Sequence, residues 1–135
     1  MAFTFSKESS DFLKELEQNN SKEWFDAHRD TYQKFVKKEA EQFAAIVGEE
    51  LTKISPKITV EPRVNRSIFR LNRDVRFSKD KTPYKAHLGF FVWEGPSGRK
   101  EDPGFYLMVK PDEILVGVGL YKFSKHMLDR YREAI

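Results

Sequence analysis

Apolar residues in the first third of the chain recur at three- and four-residue steps, the period of a helix with one buried face. Phe12, Leu13 and Leu16 form a first short stripe. Ser9 or Ser10 is placed to cap it, and Asn19-Asn20 to stop it in a left-handed conformation. Ser21 follows as a second N-cap, with Glu23 in the first turn where its charge suits the helix dipole. Phe25, Tyr32, Val36, Ala40, Phe43, Val47 and Leu51 then continue the stripe. Its spacing predicts an amphipathic helix broken near His28–Asp30 and ended by Ser55-Pro56.

Beyond Pro56 the period shortens to alternation. Ile58, Val60 and Val64 read as one strand, and Leu88, Phe90 and Val92 as another. "GPSG" at Gly95–Gly98 is a turn or exposed loop. "GFYLMVK" and "ILVGVGLY" flank Pro111-Asp112-Glu113 as the arms of a hairpin. Ser124 is placed to cap a last helix carrying Met127, Leu128 and Tyr131, and that pattern is still running at "YREAI". The expected fold is α+β, N-terminal helices packed on a mostly antiparallel β-sheet. Residues 19–51 should be mainly helical and 88–121 mainly strand.

The 135 residues suit a single domain, and at this length a chain buries roughly two-thirds of its unfolded surface. Twelve Phe, five Tyr and two Trp supply bulky core material. There is no Cys, which excludes disulfides, thiolate zinc sites and Cys nucleophiles. No uncharged run approaches the roughly 18 residues of a membrane span. "MAFTFSKESS" lacks the layout of a signal peptide, so a cytoplasmic home is expected.

One stretch follows neither period. "RLNRDVRFSKDKTPYK", Arg70 to Lys85, holds six of the 24 Lys and Arg but two of the 21 Asp and Glu. The remainder is left with 18 basic against 19 acidic residues, so the basic excess sits in this segment, thickened by Arg63 and Arg66 upstream. A localised patch points to an anionic partner more directly than net charge does. Pro83 keeps Thr82 out of helical geometry, and the segment reads as a strand or short turn entering an ordered loop.

"NNSKEWFDAHRDTY" at Asn19–Tyr32 and "RDVRFSKDKTPYKAHLG" at Arg73–Gly89 resemble the two signature segments of the family catalogued as domain of unknown function 2461. "FLKELEQNN" and "GFYLMVKPDEILVGVGLY" fit the same pattern in order, so the resemblance spans nearly the whole chain. It implies that residues 1–135 form the N-terminal part of a longer family domain. It implies no activity and carries over no catalytic residue.

Three readings of the basic segment stand. In the first, Arg70, Arg73, Arg76, Lys79, Lys81, Tyr84 and Lys85 recognise a phosphate-bearing small molecule, Arg giving a planar fork and Lys a point charge. Asp74, Asp80 and His87 are then the candidates for orienting a donor or acting as base. In the second, the face binds nucleic acid or an acidic partner, with Phe77, Tyr84 and Trp93 available for stacking. In the third, Asp74 and Asp80 pair with neighbouring cations and pin the loop, with Phe77 and Tyr84 as buried anchors.

Other motifs add little. "SKDK" at Ser78–Lys81 has the S-x-x-K spacing of serine acylases but lacks a helix start and companion motifs. Asp26 and Asp30 share a helix face from which His28 points away, so they cannot grip one metal ion together. The glycines of "VGVG" at Val116–Gly119 suggest close packing or a bulge, and no cofactor fingerprint occurs.

Overall fold

The computed structural model describes residues 3–120 and 125–135. Helix α1 spans Lys7–Gln18 and starts one turn earlier than the serine pair suggested. Its cap is Ser6, whose Oγ accepts the Ser9 N–H at 3.2 Å. Ser6 is held in place by Glu39, which accepts its N–H and its hydroxyl at 2.7 Å each. That long-range anchor selects Ser6 and leaves Ser9 buried inside the helix. Asn19 closes α1 with φ −131°, outside the left-handed region. A tight turn at Asn20, where the Ser21 N–H donates to the Asn19 carbonyl at 2.8 Å, leads to Ser21, which is itself extended.

Ser21 caps α2 (Lys22–Ala27) as expected, its Oγ accepting the Trp24 N–H at 3.2 Å. The predicted break follows at His28. Arg29–Thr31 forms the short α3, Tyr32–Lys37 a wide π-type stretch, and Lys38–Thr52 the long α4. Four strands, β1 (Ile58–Thr59), β2 (Leu88–Glu94), β3 (Gly104–Val109) and β4 (Ile114–Gly119), form one antiparallel sheet in chain order. The predicted strand over Ile58–Val64 is cut to two residues. Pro62 has no N–H to give a ladder, and the chain turns at Asn65, φ 68°. Helix α5 covers Lys125–Ala134; its expected cap, Ser124, lies outside the described residues.

Leu88, Phe90, Leu107 and Val109 point from one sheet face into the core, against Phe12, Leu16, Phe25, Val36, Ala40 and Ala44 of the helical layer. The Phe43 and Phe90 rings meet at 4.9 Å. Gly48 lets α4 approach the segment after β1, since a Cβ there would stand 2.3 Å from Val60 Cγ1. The helices therefore cover one face of β2 and β3, while Ile114, Val116 and Val118 of β4 stay exposed on that side. The site lies on the other.

Candidate functional site

The basic segment forms a narrow irregular loop. Arg73 donates its N–H to the Pro83 carbonyl at 2.9 Å, and Lys85 donates to Leu71 at 2.8 Å, laying the two ends side by side. Tyr84 is buried and stacks on Phe25, with centroids 4.5 Å apart and planes 15° apart. Between the ends, both carboxylates of the segment are paired, each with one arginine. Arg76 donates through Nε and Nη2 to both oxygens of Asp74, at 3.0 and 2.9 Å. Those bonds hold the Asp74 carboxyl down at about 2. Arg73 donates to the Thr82 carbonyl at 2.9 Å and pairs with Asp80 at 3.3 Å. Asp80 is also held low, first by the Thr82 hydroxyl and N–H and then by Arg73. Lys81 donates to the Val75 carbonyl at 2.6 Å and Lys85 to the Arg70 carbonyl at 3.1 Å. Among the described residues, Arg70 and Lys79 have no carboxylate within ion-pair distance.

Of the expected aromatic anchors, Tyr84 is buried and Phe77 is not; it is 94% exposed, while the stacking candidate Trp93 is buried. Ser78 donates to the Val75 carbonyl at 3.3 Å, closing a turn with Phe77 near its apex and the Arg76 guanidinium 5.5 Å from its ring. Ser78–Lys81 forms no helix. In the first signature segment, Asp26 pairs with Arg29 at 2.7 Å and His28 stacks on Trp24 at 4.0 Å.

Behind this loop, on the sheet face away from the helices, lies a cavity of about 630 Å³. Its floor is a row across three strands, Phe91, Tyr106 and Gly117, with Gly89 and Gly119 beside it. Phe69 forms a wall. It is fixed next to β2 because its N–H donates to Gly89 at 2.9 Å while Phe91 donates to Ser67 at 2.8 Å. Lys85, His87, Arg99 and Lys100 bring positive or titratable groups to the lining, and none of its described residues is acidic. Arg99 lies 4.7 Å from the Phe69 ring centre and Lys85 5.6 Å from it.

The β2–β3 loop delivers Arg99. Gly95 (φ 138°) and Gly98 (φ 97°) take conformations that L side chains rarely adopt. Buried Asp102 accepts the Gly98 N–H at 2.8 Å, and the Arg99 guanidinium donates to the Arg66 carbonyl at 2.8 Å. Burial lowers the pKa of Lys85, helped by repulsion from Arg70 and Arg99. Burial likewise lowers Arg99, with Arg66 adding to it, and lowers His87, with Lys85 and Lys110 adding to it. Burial raises the Tyr106 phenol. Lys85, Arg99 and Lys100 carry the positive charge of this lining, while the shifts of His87 and Tyr106 favour their neutral forms.

Of the ligand-binding candidates in the sequence, Lys85 lines this cavity; Arg70, Arg73, Arg76, Lys79, Lys81 and Tyr84 do not. Of the candidate bases, His87 lines it while Asp74 and Asp80 sit out on the loop. Arg99, Lys100, Phe69 and Tyr106 escaped the sequence reading. Their signal was faint: a glycine turn followed by adjacent cations and an Asp. Among the described residues, Gly117 and Gly119 neither pack closely nor form a bulge. The β3–β4 register is unbroken from Gly104↔Gly119 to Val109↔Ile114. A Cβ at Gly117 or Gly119 would meet nothing among the described residues within 4 Å.

Among the described residues no helix is long and apolar enough to cross a membrane. No curated protein and no solved structure matches the chain. The family model described as conserved hypothetical protein, domain of unknown function 2461, matches residues 8–135, and the chain belongs to that family.

Proposed function

We propose that this domain recognises an anion, a small phosphate-bearing ligand held in the cavity on the outer sheet face. One observation carries the reading: Lys85, His87, Arg99 and Lys100 meet on one concavity with no carboxylate among its described lining. The loop that concentrates charge in the sequence contributes Lys85 to that site. A cytoplasmic home suits such a ligand and a chain without Cys. Titration calorimetry with inorganic phosphate or pyrophosphate tests it. Arg99→Ala and Lys85→Ala should each weaken binding roughly tenfold, the usual scale for a charge-assisted hydrogen bond. Arg76→Ala, on the loop tip, should leave it unchanged. Equal losses from all three variants would reduce the effect to general basicity.

Phe77 favours a second reading, an interaction module for nucleic acid or an acidic partner. It stands 94% exposed beside Arg76, the pairing of stacking platform and cation that single-strand binders use. A single-stranded oligonucleotide would then bind with a logarithmic salt slope of about −0.7 per phosphate contacted. Phe77→Ala would weaken that binding, and Arg99→Ala would not.

A further inference from the structure

We infer that the ligand of this cavity is elongated, with an anionic group at the β2 side and a flat ring lying on β4 against Gly117 and Gly119. This rests on the anion reading above and names the class of molecule. The cavity is far larger than a bare oxyanion needs; about 630 Å³ falls within the roughly 300–1,000 Å³ of pockets for drug-sized molecules.

Its two ends differ in chemistry. Lys85 and Arg99 gather at Phe69, which packs on Gly89 of β2, where a Cβ would lie 3.0 Å from the Phe69 ring. The glycine end is two strands away, roughly 10 Å at ordinary strand spacing. Tyr106, from the strand between, meets Phe69 edge-on at 5.9 Å. A molecule touching both ends must therefore span the sheet, charged at one side and apolar at the other.

The glycines specify the apolar end. β4 is otherwise built from Ile114, Leu115, Val116 and Val118, side chains that suit a strand. Gly117 and Gly119 share the cavity face, and neither backbone adopts a positive φ that would demand glycine. Nor does packing among the described residues demand it, since added Cβ atoms would meet none of them within 4 Å. Glycine inside a strand weakens it and marks places where another group approaches the backbone closely. What remains is a bare strip of peptide planes beside Tyr106. A planar ring can lie flat on such a strip; a branched chain would leave it partly unfilled.

The test compares adenosine 5′-monophosphate and 1-naphthyl phosphate with ribose 5-phosphate, hexyl phosphate and inorganic phosphate, by calorimetry on the full chain. The two ring-bearing phosphates should bind at least about tenfold more tightly than the other three, the worth of roughly one stacked ring. Gly117→Val should remove that gain, bringing the two ring-bearing phosphates down to the affinity of hexyl phosphate. The variant should fold, because its side chain meets open space in a strand; Gly119→Ala repeats the test with a smaller group. Inorganic phosphate binding with no gain from a ring overturns the inference and leaves the anion reading standing. A gain that survives both glycine variants also overturns it. If none of the phosphates binds, the anion reading fails and the elongated ligand fails with it.

Discussion

The side chain of Asn20 and the main chain of Tyr84 form a reciprocal hydrogen-bonded pair. Asn20 Nδ2 donates to the Tyr84 carbonyl at 2.9 Å, and the Tyr84 N–H donates to Asn20 Oδ1 at 3.0 Å. A carboxamide presents a donor and an acceptor side by side, as a neighbouring strand would. The pair joins the two signature segments, 64 residues apart, and the Phe25–Tyr84 stack lies beside it. Asn20→Ala would leave both main-chain groups of Tyr84 without these partners. It should cost about 1–3 kcal/mol in urea unfolding. Asn20→Asp keeps the acceptor and loses the donor, and should fall between. Wild-type stability in Asn20→Ala would mean that the stack alone holds the loop.

Asp74 and Arg73 should separate the two kinds of ion pair in the loop. The Asp74 and Arg76 side chains are 49% and 75% exposed, so water screens their attraction. Asp74→Asn should leave the unfolding midpoint at pH 7 close to that of wild type. Because folding lowers this carboxyl from 3.8 to about 2, whatever it contributes is present at higher pH and is lost as pH falls through that range. Arg73 is 28% exposed and also serves the Thr82 carbonyl. Arg73→Ala should cost about 1–2 kcal/mol. The opposite ranking would show that the tip pair holds the loop.

His87 gives the cavity a pH dependence of known sign. Folding lowers its pKa below 6.5 through burial and through Lys85 and Lys110. The unfolded chain therefore takes up the proton first, and stability falls as pH drops below about 6.5. A bound anion favours the protonated ring, so affinity should rise over the same window. Sulfate is the suitable probe because it does not itself titrate there. His87→Gln should flatten the sulfate profile and reduce the acid-side loss of stability. An unchanged profile in that variant would assign the dependence to another group.

Asp102 should act on binding through position. Its carboxylate holds the Gly98 N–H, and a Cβ at Gly95 would come within 2.6 Å of its Oδ1. Asp102→Ala should cost about 1–3 kcal/mol in stability. It should also weaken phosphate binding severalfold, although Asp102 does not line the cavity. Asp102→Asn keeps an acceptor for Gly98 and should restore most of the affinity. Loss of stability in Asp102→Ala with phosphate affinity intact would point to a structural role alone.

Gly48 sets packing against propensity. In a helix interior, alanine is preferred to glycine by about 1 kcal/mol. Here the added methyl would enter the Val60 side chain, with contacts of 2.3 and 2.7 Å. Gly48→Ala should therefore lower stability by about 1–3 kcal/mol, the usual range for overpacking. An unfolding midpoint above wild type would show that the segment after β1 yields freely.

Features with a short-range cause were legible in the sequence. The helical stripe from Phe25 to Leu51, its break at His28, the cap at Ser21 and the β3–β4 hairpin depend on neighbours a few residues away. The Asp74–Arg76 fork spans two residues, and the sequence-level expectation that Asp74 and Asp80 pair with adjacent cations describes it. Tertiary structure decided which cations stay unpaired. Lys85, Arg99 and Gly117 come from three separate segments and meet only because β2, β3 and β4 lie in register. It also decided that Ser6 caps α1, through Glu39 33 residues away, and that Phe77 faces outward. Periodicity records which side of an element is buried. Whether a charge finds its counter-charge, or a glycine faces another side chain or open space, depends on atoms distant in sequence, and no local pattern carries that information.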